Sequence, residues 1–320
     1  MSTVVRISIN WTESAFQSEV RRAALVNVPL DNATLGFVLS RTRDTDPVTR
    51  KLVYSVLGSK LVHPRQLSIA LREQLVKDGL GDREPAVRLA AGKLIASWFD
   101  KILGEAMVSS EETWMGDDAG VMRAFLAFLG LFDVVGPGEV IAIDAMLSIF
   151  ITRPELIDVF EFPGLDIFIS CGNEGADTVV EAYWTELTPE SAVLARAFVE
   201  HCDSEARLEA AAMPVVTAFA FYIQEAYNSL LEVLEQENNA EDDEEAEDRS
   251  EEVAKREVIL GELLRMAVKL DYMDEIGRRK VFSVVSRLTT IDILPRKLMN
   301  FARGYVIPSR SAFWTYRTLS

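Results

Sequence analysis

The chain has 320 residues, 49% hydrophobic and 26% charged, with 50 acidic against 33 basic side chains and a net charge of −17. Such a length accommodates two compact domains or one elongated array, and the apolar content excludes a disordered chain. The acidity argues against a general nucleic-acid or membrane-surface binder, and two cysteines, Cys171 and Cys202, are too few for a disulfide framework and point to a reducing compartment.

Residues 1–10 lack the basic, apolar and small-residue pattern of a secretory leader, so the sequons at Asn10 and Asn32 are expected to stay unglycosylated. Helical stripes follow: Val48, Leu52, Val56 and Leu57; Leu67, Ala70, Leu71 and Leu75; and Val87, Ala90, Ala91, Leu94 and Trp98. Prolines that suit a first helical turn, where the missing N–H costs nothing, stand at Pro47, Pro64, Pro85 and Pro189. The longest uncharged stretch, 210–224, contains Pro214 and falls short of the roughly 18 residues that a membrane span needs, so it is read as a buried helix. Residues 236–257, centred on the acidic run 241–245, cannot bury enough to order themselves and are expected to form a disordered loop. Further helices are expected over 258–303, and an irregular tail over 304–320.

No strict alternation with hairpin glycines appears, so the chain reads as all-α. About 13 helices of roughly 10 to 20 residues joined by short connections suit antiparallel pairs stacked in series. Val20-Arg21-Arg22-Ala23-Ala24, Asp46-Pro47-Val48-Thr49-Arg50 and Glu84-Pro85-Ala86-Val87-Arg88 form an internal repeat with arginine offsets of 29 and 38. The second offset is close to the HEAT and armadillo period of about 40, so residues 1–235 are expected to form an armadillo-like HEAT-repeat α-solenoid. In such arrays an arginine commonly braces the turn between helices, which is the structural alternative to binding for Arg21, Arg50 and Arg88.

Catalytic constellations are close to absent. His63 and His201 show no spacing that would bring them together, Gly92-Lys93-Leu94 lacks the remainder of a phosphate loop, and the paired carboxylates Glu111-Glu112 and Asp117-Asp118 sit in loop-like contexts. No enzyme, metal or cofactor is expected. Charge is segregated: residues 1–100 carry +4, 101–235 carry −19, 236–257 carry −8 and 258–320 carry +6. Arg41, Arg43, Arg50, Lys51, Lys60, Arg65, Arg72, Lys77, Arg83 and Arg88 are therefore the candidate DNA-facing cations, with acidic groups between Asp44 and Glu84 partly opposing them. Arg65 and Arg72, seven apart, are expected to share one helix face. An array of six or seven pairs spaced about 10 Å apart would separate the ends far beyond the screening length of about 8 Å, so an acidic middle need not cancel a basic end.

The stretch 44–98 also carries a family resemblance. Its Asp44-Thr45-Asp46-Pro47-Val48-Thr49-Arg50-Lys51-Leu52-Val53-Tyr54, Leu67-Ser68-Ile69-Ala70 with Arg72 and Leu75, Gly79-Leu80-Gly81-Asp82-Arg83 and Ala86-Val87 resemble the CAP-G type HEAT subunits of condensin, in their fungal form. A weaker likeness continues through Leu187-Thr188-Pro189-Glu190-Ser191. The resemblance implies a non-catalytic solenoid, located in the nucleus and on mitotic chromosomes, that binds the kleisin subunit and double-stranded DNA and reaches the SMC subunits indirectly. Members of that family are far longer, so the chain is expected to be a portion of such a subunit. The alternative from another class is a HEAT adaptor of the nuclear-transport or phosphatase-scaffold kind, binding basic peptides through its acidic surface.

Overall fold

The computed structural model describes residues 18–108, 117–156, 183–184, 186–206, 214–237, 243–270 and 272–290. Cys171, the Asn10 sequon, Glu111-Glu112 and the tail 304–320 lie outside them. Eleven α-helices and no strand occur among the described residues: α1 (Ser18–Asn27), α2 (Leu35–Ser40), α3 (Pro47–Lys60), α4 (Ile69–Leu80), α5 (Pro85–Val108), α6 (Asp117–Leu129), α7 (Glu139–Thr152), α8 (Pro189–Ser204), α9 (Val216–Glu237), α10 (Asp243–Ala267) and α11 (Glu275–Thr290). Short 3₁₀ turns cover Arg41–Arg43 and Pro64–Gln66. None of these helices is long and apolar enough to cross a membrane, and no group of three metal-ligating side chains forms among the described residues. The chain divides into two compact units, residues 1–133 with 137–157, and 134–136 with 158–320.

In the first unit the helices alternate between two columns. One column stacks α1 on α3, α3 on α5 and α5 on α7; in the other, the α2 segment and α4 pack against their neighbours in the first. This is the packing of HEAT-type helix pairs, each burying a stripe against the next. Pro47 and Pro85 open α3 and α5, and Pro64 opens the 3₁₀ turn. The α3 start is capped by Asp46, whose side chain accepts the Thr49 N–H, and the α4 start by Ser68, which accepts the Leu71 N–H. Helix α5 touches α3, α4, α6 and α7, which explains why it is apolar on nearly every side. Its expected stripe of Val87, Ala90, Ala91, Leu94 and Trp98 is buried throughout. Phe99 on α5 meets Phe125 of α6 at 4.7 Å, and Phe125 meets Phe150 of α7 at 5.8 Å, forming an aromatic core. At Gly79 a Cβ would stand 2.5 Å from the Ala91 Cβ and 2.9 Å from the Tyr54 ring, so only glycine lets α4 approach α5 this closely.

The other two stripes are matched in part. Val56 and Leu57 of α3 and Leu67 and Leu75 are buried as expected, but Val48, Ala70 and Leu71 are exposed, and the buried faces also take in Thr49, Arg50, Val53 and Tyr54 of α3 and Arg72, Val76 and Gly79 of α4. The cause in α4 is its late start: Leu67 is buried, but it precedes the Ser68 cap and so belongs to a different backbone frame.

The second unit packs α8 against α10 and α9 against both α10 and α11. Thr188 and Ser191 form a reciprocal capping box at the start of α8, with Pro189 in the first turn. Trp184 lies edge-on to Phe219 at 5.6 Å and is stacked near Tyr222. The expected buried helix over 210–224 begins at Val216, after Pro214, and Phe221 on it is exposed. The disordered loop expected over 236–257 is corrected from residue 243 onward, where α10 runs unbroken to Ala267. Two of its acidic residues are matched one helical turn on, Glu251 by Lys255 and Glu252 by Arg256. Its later turns bury Leu260, Leu263 and Leu264, so tertiary packing carries the acidic end with it.

Candidate nucleic-acid interface

Of the candidate cations of the first unit, Arg41, Arg43, Arg65 and Arg83 stand on turns and the others on α3, α4 and α5, and ion pairs tie the helices to the turns. Arg21 of α1 sends a fork to Asp44, with Nε and Nη2 each 2.9 Å from a carboxylate oxygen. Arg22 reaches Asp46 at 2.9 Å. One repeat along, Arg50 of α3 makes the same fork to Asp82, at 2.7 and 2.9 Å, while its Nη1 donates to the Asp44 carbonyl at 2.9 Å. Each arginine thus ties its own helix to the turn that begins the next helix in the column. Arg88 of α5 closes on its own turn, donating to the carbonyls of Asp82 and Arg83 at 2.7 and 3.0 Å. The bracing role anticipated for Arg21, Arg50 and Arg88 is what these contacts show.

These contacts set the charges. Burial raises the Asp46 carboxyl, but hydrogen bonds from the Thr49 hydroxyl and Arg22 outweigh it and hold the group down at about 2. The Asp82 carboxyl is lowered by the Arg50 hydrogen bond against the opposing effect of burial. Against burial, Arg21 likewise lowers Asp44. A carboxylate whose folded pKa lies below its unfolded value of about 3.9 stabilises the fold above that value, and the contribution fades as pH falls toward the folded pKa. The stability difference between the parent and Asp46→Asn is therefore expected to be constant above about pH 5 and to shrink steadily toward pH 2. Urea midpoints across that range check it, and a difference independent of pH would contradict the assignment.

The remaining candidates fall into two groups. Arg41 lies 3.5 Å from Asp44, Arg43 pairs with Asp78 at 3.1 Å, Lys60 donates to the carbonyls of Val26 and Val28, and Arg65 pairs with Glu105 at 3.1 Å. Arg72 is buried and Arg65 stands in the 3₁₀ turn before α4, so the two do not share a helix face as their spacing suggested. Lys51, Lys77 and Arg83 are exposed, and their side chains form neither hydrogen bond nor ion pair among the described residues. Each is the sequence neighbour of a ladder residue: Lys51 of Arg50, Lys77 of Asp78 and Arg83 of Asp82. An open cleft of about 410 Å³ lined by Thr42, Arg43, Asp44, Asp78, Asp82 and Arg83 runs between the two turns. The first unit thus offers three exposed cations with no ion-pair partner among the described residues, side chains suited to phosphate contact without base reading.

Sequence reasoning set acidic groups between Asp44 and Glu84 against these cations but not the individual pairs. The signal was present in a repeated register, Asp44-Thr45-Asp46-Pro47-Val48-Thr49-Arg50 and Asp82-Arg83-Glu84-Pro85-Ala86-Val87-Arg88, each with an aspartate six residues before the arginine. Exposed Lys93 on α5 was also passed over. In the second unit, α9 and α11 frame a groove of about 390 Å³ lined by Phe221, Gln224, Asn228, Lys280 and Arg287, with the Lys280 ammonium 2.9 Å from the Phe221 ring centre.

No protein-family model matches the chain. It is 30% identical over 285 residues to condensin complex subunit 3 of Schizosaccharomyces pombe, covering 88% of this chain and 26% of that protein. To condensin complex subunit 3 of Homo sapiens it is 28% identical over 304 residues, covering 93% of this chain and 26% of that protein. A chain in the crystal structure of the S. pombe condensin Cnd3–Cnd2 subcomplex superposes with a TM-score of 0.71 at 27% identity, covering 94% of this chain and 34% of that one. The chain thus spans about a quarter of the length of the curated relatives it matches, and the resemblance carried by residues 44–98 extends over most of it.

Proposed function

We propose that this chain is part of a non-catalytic HEAT-repeat subunit of a condensin complex, which binds the kleisin subunit and double-stranded DNA in mitotic chromosome condensation. The observation that carries the reading is the similarity to condensin complex subunit 3 along nearly the whole chain, in sequence and in fold together. Kleisin binding draws support from the matched Cnd3–Cnd2 structure, a complex of two condensin subunits. In this reading the SMC subunits are reached through the kleisin and perform the ATP hydrolysis, and the protein works in the nucleus and on mitotic chromosomes.

DNA contact is assigned to the exposed edge of the first unit, around Lys51, Lys77 and Arg83, and Arg43 and Arg88 border it. Arg50 and Arg72 are buried and leave the edge to the others. Phosphate contacts release counterions, so affinity for duplex falls steeply with salt and does not depend on base sequence. With a kleisin fragment bound, the triple charge reversal Lys51→Glu, Lys77→Glu and Arg83→Glu is expected to weaken binding to all duplexes alike and to flatten the log–log salt slope by roughly one unit per cation lost. Since all three side chains are exposed and unpaired, the fold is retained, which circular dichroism checks. Parent-like duplex affinity in the triple variant overturns the assignment of this edge. Co-expression with kleisin fragments, followed by hydrogen-exchange mapping, tests the partner. Capture of basic import signals or a phosphatase catalytic chain in place of the kleisin would favour the adaptor.

A further inference from the structure

Arg72 on α4 is 6% exposed, yet it has nothing like the partners of Arg21 and Arg50. Its one hydrogen bond is a 3.5 Å contact from Nη1 to the Pro64 carbonyl, and its Nε is buried with no acceptor. Neighbouring Glu73 is engaged elsewhere, accepting the Asp133 N–H at 2.9 Å. Burial first, and the nearby charge of Arg65 second, disfavour the charged guanidinium, and Glu73 offsets them only in part. A guanidinium keeps its proton even so. The fold therefore holds a largely buried guanidinium, its Nε without an acceptor, against the turn that carries Arg65.

That arginine is available. Arg65 is exposed in the Pro64–Gln66 turn and shares Glu105 with His63, whose Nε2 lies 2.9 Å from the same carboxylate. Exposed pairs of this kind are weak and exchange readily. Around the two arginines Val62, Ile69 and Leu71 present apolar side chains to solvent.

We infer that Arg65 and Arg72 form a receptor for a phosphomonoester carried on a side chain of a partner peptide. The guanidinium of Arg72 against the Pro64–Gln66 turn and that of Arg65 within it together match the charge and the three acceptor oxygens of a phosphoserine or phosphothreonine dianion. Depth selects a peptide over nucleic acid: the phosphodiesters of a stiff duplex stay at its own surface, whereas a phosphate at the end of a side chain projects toward a buried cation. The apolar rim points the same way, because Val62, Ile69 and Leu71 can pack against peptide side chains and give a phosphodiester backbone nothing. The inference stands on these residues alone and does not depend on the DNA edge proposed above.

The test uses the full chain and a fluorescein-labelled Leu-Gly-phosphoserine-Gly-Ile peptide, its serine and glutamate counterparts, and a short DNA duplex, all read by anisotropy. The phosphoserine peptide is expected to bind saturably and the serine peptide not to bind. Arg65→Gln and Arg72→Met are each expected to weaken the phosphopeptide roughly tenfold or more, with duplex binding unchanged in Arg72→Met. Replacing an uncompensated buried cation by an apolar side chain of similar size should also leave the melting temperature of the unliganded chain equal to or above the parent's. Equal binding of the serine or glutamate peptide overturns the phosphomonoester assignment. Loss of duplex binding in Arg72→Met would transfer Arg72 to the nucleic-acid surface. A lowered melting temperature in Arg72→Met, together with parent-like phosphopeptide binding in Arg65→Gln, would make Arg72 a brace and overturn the receptor.

Discussion

Replacing Arg50 by methionine is expected to destabilise the first unit by about 3–5 kcal/mol, and replacing Arg50 and Asp82 together, by methionine and leucine, to restore most of that loss. The reason lies in where the pair sits. Side-chain exposures of 8% and 6% place both charges out of water, and the two-pronged fork satisfies the Asp82 carboxylate with Nε and Nη2. Removing the arginine leaves a buried carboxylate facing no cation and frees the Asp44 carbonyl, whereas removing both partners leaves neither charge to solvate. Arg43→Met is the internal control: its pair with Asp78 is open to solvent on the arginine side, and its loss should be small beside that of Arg50→Met. Hydrogen exchange of amides in α3 and α5 reads the opening free energy of this unit directly. A single-variant loss near that of Arg43→Met would mean that the ladder is held by apolar packing and that its ion pairs are incidental.

The same ladder shows why the helices of this chain are more legible in its sequence than its charged edge. Pro47, Pro85 and Pro189 announce helix starts because a residue without an N–H is welcome only there, and each opens a helix. Helix α5 is legible because its stripe is deep, with Val87, Ala90, Ala91, Leu94 and Trp98 all buried. Helix α3 is less so because its buried face includes Thr49 and Arg50, polar residues that a hydrophobic count assigns to solvent. Charge patterning misleads for a related reason. Ten cations in succession read as one basic surface, but among them Arg43 and Arg50 meet Asp78 and Asp82 from the next turn and Arg41 lies by Asp44 of its own turn, as Arg21 and Arg22 before them meet Asp44 and Asp46. The pairings between residues 23 to 35 positions apart follow from how one repeat stacks on the next. Only the six-residue register of aspartate and arginine hints at them within the sequence. The acidic run errs in the opposite direction: composition favours disorder over 243–257, and packing of the later turns of the same helix overrides it.

Packing of that helix also sets the largest expected loss in the second unit. Glu262 of α10 has no exposed surface and accepts from two arginines, Arg196 of α8 at 3.1 Å to one oxygen, and Arg265, one turn along its own helix, to the other. Arg196 also pairs with Glu200 at 2.8 Å, so its charge is favoured despite burial, through Glu262 and Glu200 together. Glu262→Leu would take the shared buried acceptor from two guanidiniums and set an apolar side chain against them, and a loss of about 3–5 kcal/mol is expected. Glu262→Gln should lose less, since the amide oxygen still accepts from one arginine while the amide nitrogen opposes the other. Cys202, buried on α8 two turns beyond Arg196, supplies the measurement. In a Cys171→Ser background, its labelling rate by a thiol reagent reports how often this unit opens, and acceleration by two or more orders of magnitude is expected for Glu262→Leu. An unchanged rate would mean that α8 and α10 are joined by their apolar faces alone, with the charges between them contributing nothing.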